Sequence, residues 1–106
     1  MTHLEGLGYT IAARNYRAGR AEVDLVAWDG PVLVFVEVKT RGRIRFGRPA
    51  SFLTRAQQRR IAAAAAHYAE SVGHDWEVRF DVVSVVLTGP ETGVEHLPDA
   101  FFPGLF

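Results

Sequence analysis

Glu37 and Lys39 stand one residue apart at the end of the apolar run Pro31-Val32-Leu33-Val34-Phe35-Val36, and the upstream segment Glu22-Val23-Asp24-Leu25-Val26 carries two more carboxylates. Side chains alternate across a strand, so Glu37 and Lys39 share one face, about 7 Å apart along it. Glu22 and Asp24 share a face by the same rule. Charges at the end of a strand buried on both sides are costly unless paired, hydrogen-bonded or bound to a metal. If the two segments are hairpin neighbours, Asp24 and Glu37 converge on a point able to hold a divalent cation, with the Lys39 ammonium beside it. Hard carboxylate oxygens suit Mg²⁺ or Mn²⁺, which keep several waters and gain affinity from substrate phosphate. Such an ion activates water and stabilises a leaving oxygen, and a lysine neutralises transition-state charge. Those are the parts that phosphodiester hydrolysis requires. The competing reading has Glu37 and Lys39 in solvent, forming exposed ion pairs worth well under ~1 kcal/mol.

Three strands must position these groups. Gly8 to Tyr16 reads as a short strand leaving a glycine turn. Residues 20–28 form a second, with Val23 and Leu25 on one face and Glu22, Asp24 and Val26 on the other. Trp28-Asp29-Gly30-Pro31 signals a turn into a third strand over residues 32–40, which gives a meander. Arg41 to Phe52, with two glycines and a proline, reads as a loop. Thr54-Arg55-Ala56-Gln57 matches a capping box, and the alanine-rich helix behind it carries Ile61, Ala65, Tyr68 and Val72 on one stripe, with Gly73 as its stop. Trp76 to Leu87 reads as a long strand apolar on nearly both faces, followed by a weak strand near Val94. The Phe101-Phe102-Pro103-Gly104-Leu105-Phe106 tail is expected to pack on the domain.

The chain of 106 residues has room for one domain, and 48% hydrophobic with 23% charged residues is ordinary for a globular protein. Without cysteine, disulfides and thiolate metal sites are excluded. No apolar stretch approaches the ~20 residues that cross a bilayer, and no signal peptide is evident, so the expectation is a cytoplasmic protein with no membrane partner. The formal net charge of zero conceals an asymmetry. Arg41, Arg43, Arg45, Arg48, Arg55, Arg59 and Arg60 fall in a segment without an acid, whereas from Glu70 onward Arg79 is the only Lys or Arg. Neutrality argues against indiscriminate binding to polyanions, but the arginine block offers a local surface for phosphate.

The ordered series Gly8-Tyr9, Arg14-Asn15-Tyr16-Arg17, Glu22-Val23-Asp24-Leu25-Val26-Ala27, Leu33-Val34-Phe35-Val36-Glu37-Val38-Lys39-Thr40-Arg41, Gly47-Arg48-Pro49, Gln58-Arg59-Arg60-Ile61 and Arg79-Phe80-Asp81-Val82-Val83 resembles the YraN family of bacterial proteins over nearly the whole chain. That family is similar to Holliday-junction resolvases and to the restriction-endonuclease-like PD-(D/E)xK superfamily. The resemblance implies a single α/β domain over residues 1–106, in which a central mixed sheet (three-strand meander, then helix, then a further strand) is flanked by helices. It also implies that Asp24 and Glu37 are metal ligands and Lys39 is the catalytic lysine. Family members usually begin with a further helix bearing a glutamate that completes the metal site in resolvase-like relatives. Met1 to Gly6 aligns with the end of that helix, and Glu5 falls in the wrong place to be that glutamate. The expectation is therefore a shortened first helix or a start codon assigned too late. Where the family often has a lysine, this chain has Gln57, which its cap role explains.

Among further candidates, Glu22 serves as an accessory ligand or pairs with a neighbouring arginine, and Gln58 as an accessory polar group or an exposed glutamine. Arg41, Arg43, Arg45, Arg48, Arg55 and Arg59 are candidate nucleic-acid contacts. Asp81, inside an apolar strand, is expected to be paired. His3, His67, His74 and His96 show no mutual metal-ligand spacing. The leading expectation is a Mg²⁺- or Mn²⁺-dependent nuclease acting on DNA, branched junctions included, for which a homodimer would fit. Its rivals are a catalytically inactive nucleic-acid-binding member of the same fold and a small scaffold protein that docks a partner through its Phe-rich tail.

Overall fold

The computed structural model describes residues 2–41, 53–88 and 91–100. In chain order the elements are α1 (Thr2–Gly6), β1 (Thr10–Ala18), β2 (Ala21–Asp29), β3 (Val32–Arg41), α2 (Arg55–Ser71), β4 (Val78–Thr88) and β5 (Glu91–Leu97). The strands form one sheet in the order β1-β2-β3-β4-β5. All neighbours are antiparallel except β3 and β4, which run parallel. A parallel pair requires a crossover, and α2 supplies it. The protein is thus an α/β fold with a five-stranded mixed sheet, and the meander expected from sequence is its first half.

Local chemistry accounts for the elements. Two-residue turns join β1 to β2 and β2 to β3, and each starts on a glycine with positive φ, 64° at Gly19 and 59° at Gly30. At the start of α2 the Gln57 N–H donates to Thr54 Oγ1 (3.1 Å) and the Thr54 N–H to Gln57 Oε1 (2.8 Å), a complete capping box. At its end Gly73 (φ 70°) turns the chain away. The Gly73 N–H donates to the Glu70 carbonyl and the His74 N–H to the Ala69 carbonyl, which satisfies two orphan groups of the last turn.

β3 is the structural centre. Leu33, Val34, Phe35 and Val36 are all fully buried, because the strand is covered on both faces. Leu33 and Phe35 point toward α2 and pack with Val26, Ile61, Ala65 and Phe80. Val34 and Val36 point the other way, onto Leu4 of α1, Leu25 and Val83. Each such side chain contributes roughly 1.5–3 kcal/mol of burial free energy.

Several sequence expectations need correction. Val23 does not share a face with Leu25; it packs with Val26 on the α2 side, while Leu25 packs opposite. The pairing of β1 with β2 is irregular between Ile11 and Ala13, and Asn15 has φ 50° between the Arg14↔Leu25 and Tyr16↔Val23 pairs. Such irregularities add local twist and break strict alternation. Val72 leaves the apolar stripe and is 49% exposed, because it caps the helix beyond the packed turns. β4 starts at Val78, so Trp76 lies before it, 70% exposed. Arg41 ends β3 rather than opening a loop. The Phe-rich tail lies outside the described residues. Among the described residues no helix is long and apolar enough to cross a membrane.

Candidate active site

The ladder between β2 and β3 ends at Leu25↔Val36, while β3 stays paired with β4 as far as Arg41↔Val86. The two strands separate at that point. The Val38 N–H, which would otherwise face the gap unpaired, donates to Asp24 Oδ2 at 2.8 Å. Asp24 thus stands in the opening between the strands, held by the backbone of β3. Glu37, next to Val38, lies on the α2-facing side of β3 by alternation from Leu33 and Phe35. The neighbouring Asp24 side chain favours its protonated form, by hydrogen bonding and by charge.

Two neighbouring carboxyls cannot both ionise cheaply. Burial first, then the hydrogen bond to Asp24 and that group's charge, push the Glu37 carboxyl up to about 8. Glu22 adds to the rise, and the Lys39 ammonium opposes it. The sequence-predicted group of Asp24, Glu37, Lys39 and Glu22 is therefore one electrostatic unit. At neutral pH without a cation, Glu37 keeps its proton. A divalent cation would take that proton's place.

Two carboxylates beside a lysine fit Mg²⁺ or Mn²⁺, ions commonly bound through one or two carboxylates with water and phosphate completing the shell. Among the described residues no cluster of three or more His, Cys, Asp or Glu side chains is placed to hold a metal. Glu22 is paired with Arg17 (Nε to Oε2, 3.3 Å), the neighbouring-arginine alternative for this residue. Gln58 donates from Nε2 to the Leu53 carbonyl (3.3 Å), bracing the start of α2. Arg55 and Arg59 lie exposed on α2. Arg41 sits in register at the end of β3, and Arg43, Arg45 and Arg48 lie outside the described residues.

Sequence reasoning missed Arg14 and Asn15. With Asp24, Leu25 and Val38 they line an open cleft of about 430 Å³. The available signal was Asn15 itself, since asparagine is the side chain most tolerant of a left-handed backbone after glycine. Asp81, expected to be paired, is fully buried and accepts from Arg79 Nε (2.9 Å), Arg79 Nη2 (3.1 Å) and the Asp99 N–H (2.9 Å), with His96 Nε2 at 2.7 Å. Arg79 also donates to Asp29 (3.0 Å) and to the Tyr9 hydroxyl. His67 is exposed and bonded to the Tyr16 hydroxyl.

Known proteins resemble this chain closely. It is 43% identical to a UPF0102 protein of Chlorobaculum tepidum, covering 96% of this chain and 84% of that one. It is 45% identical to a UPF0102 protein of Rhodococcus jostii, covering 93% and 86%. With a UPF0102 protein of Solibacter usitatus it shares 46% identity, covering 93% and 76%. The family's sequence pattern matches residues 1–85, which hold α1, the meander, α2 and most of β4 with every candidate site residue. The chain belongs to the uncharacterised protein family UPF0102.

Proposed function

We propose that this chain is a divalent-metal-dependent nuclease of restriction-endonuclease-like fold that hydrolyses phosphodiester bonds in cytoplasmic DNA, with branched junctions as the substrate. The observation that carries this reading is that Asp24, held by the Val38 N–H where β2 and β3 part, lies close enough to raise the Glu37 carboxyl by hydrogen bonding and charge, with Lys39 two residues further along the strand. Asp24 and Glu37 would hold Mg²⁺ or Mn²⁺, which supplies water activation and stabilisation of the leaving oxygen. Asp24 is oriented by the Val38 N–H, so its position costs little reorganisation. A cation held there would favour the ionised form of Glu37. Lys39 places an ammonium beside the pair, where it neutralises charge on a phosphate drawn to the site. Arg41, Arg55 and Arg59 supply backbone contacts that fix register rather than sequence. Two-fold junctions suit a homodimeric enzyme.

The test is cleavage of branched, single-stranded and duplex DNA with Mg²⁺ or Mn²⁺. Glu37→Ala and Lys39→Ala are each expected to lower the rate by at least ~10²-fold, the scale of losing one electrostatic stabiliser. Activity that survives both substitutions would remove the site from the reaction. A second reading, a catalytically silent nucleic-acid binder, is favoured by the two-carboxylate count among the described residues. Salt-sensitive DNA binding without cleavage under any metal would establish it.

A further inference from the structure

We infer that a second cleft, between the β1–β2 turn and α2, binds a phosphate of the DNA strand that runs to Asp24 and Glu37. This inference rests on the nuclease reading for the strand's destination, but not for the binding itself. The cleft, about 390 Å³, is lined by Arg20, Arg59 and Arg60 around a floor of Ala21, Ala56 and Ala63. Its lining is uniformly basic and apolar, with no carboxylate among its residues. Gly19 turns the chain so that Arg20 follows it at the tip of the hairpin, and α2 presents Arg59 and Arg60 one turn beyond its first. Three arginines from two different elements line one hollow, and the small alanines leave the floor open to a close backbone approach. Guanidinium geometry matches phosphate oxygens in a way that an ammonium does not. Charge complementarity thus commits the cleft to a polyanion backbone.

Its location ties it to the carboxyl pair. Ala21 and Asp24 lie on the same strand three residues apart, about 10 Å at the usual strand rise. That is about three nucleotides at the roughly 3.4 Å axial rise per nucleotide of one duplex strand. Glu22, one residue from the cleft floor, is already within electrostatic reach of Glu37. A strand seated on Arg20 and Arg60 therefore passes β2 toward Asp24, and the cleft sets the register of the scissile bond.

The experiment is fluorescence-anisotropy titration of labelled single-stranded DNA in EDTA, where no cleavage occurs, with the parent, Arg20→Ala/Arg60→Ala, Arg20→Lys/Arg60→Lys and Arg17→Ala. Arg17 is the control, because it removes one exposed charge outside the cleft. Loss of both cleft arginines is expected to weaken binding on the order of tenfold. It is also expected to lower the slope of log affinity against log salt by about 1.4, from two contacts at about 0.7 each. The lysine pair is expected to restore most of the salt slope and only part of the affinity, and Arg17→Ala to change binding less than twofold. Unchanged thermal unfolding of the double variant separates lost contact from lost fold. A parent that does not bind, or a double variant that binds as the parent does, overturns the inference. Loss of binding in the double variant, with a parent that cleaves under no metal, instead overturns the nuclease reading and leaves the phosphate cleft standing.

Discussion

Glu37 carries two demands that pull its carboxyl in opposite directions. Burial and the neighbouring Asp24 favour the protonated form, while Lys39 favours the ionised one. Its folded-state value, about 8, lies above the ordinary 4.5, so the folded chain binds more protons than the unfolded chain between those limits. Stability of the metal-free protein must therefore fall as pH rises through that window. Glu37→Gln removes the titration and keeps the shape. It is expected to flatten the pH dependence of the unfolding midpoint between pH 5 and pH 8.5, and to stabilise the protein at the upper end by about 1–2 kcal/mol once solvent screening is allowed for. Urea unfolding of both forms across that range checks it; parallel curves would mean that Glu37 titrates normally. The convergence of Asp24 and Glu37 was legible in the sequence, because hairpin pairing and period-two alternation bring the strand ends together. The elevated Glu37 value was not, since it depends on burial that only the packed sheet creates.

At the level of elements, the local signals were the most readable. Thr54 and Gln57 announced the start of α2, and both halves of the capping box are formed. Thr54→Ala is expected to cost about 1 kcal/mol, measured by thermal or urea unfolding, with the helix otherwise intact. A loss below a few tenths would mean that packing rather than the cap holds this end. The apolar runs of β3 and β4 likewise foretold strands covered on both sides. What strict alternation missed was the change of face between Val23 and Leu25. Across the ladder the left-handed Asn15 stands between the Arg14↔Leu25 and Tyr16↔Val23 pairs, opposite this change of face. A period-two reading of one strand has no access to its partner's register. Asn15 also lines the cleft at Asp24, together with Arg14.

Across the whole molecule, the sheet is tied together by the Arg79–Asp81 network, with Asp81 in register opposite Val36, next to Glu37. It joins Tyr9 before β1, Asp29 at the end of β2, Arg79 and Asp81 on β4, and His96 on β5. Its members are up to 87 positions apart, counted from Tyr9 to His96, which is why only the pairing of Asp81 was foreseeable. Asp81→Ala would leave Arg79, whose side chain is 18% exposed, without its buried partner. It is expected to destabilise the chain by about 3–5 kcal/mol, read as a lower urea midpoint with Mg²⁺ present or absent. A loss under 1 kcal/mol would show the network to be incidental. By contrast, the cation site is expected to add stability only when filled, because an ion that binds the folded chain alone stabilises it by mass action.

Mn²⁺ binding, followed by the loss of the free-ion electron paramagnetic resonance signal at pH 8.5 and at pH 6, reads the Asp24–Glu37 pair itself. The Asp24–Glu37 pair predicts one ion per chain, tighter binding at the higher pH where Glu37 has released its proton, and loss of that ion in both Asp24→Asn and Glu37→Gln. Binding that persists in both variants, or no binding by the parent at millimolar Mn²⁺, would contradict it.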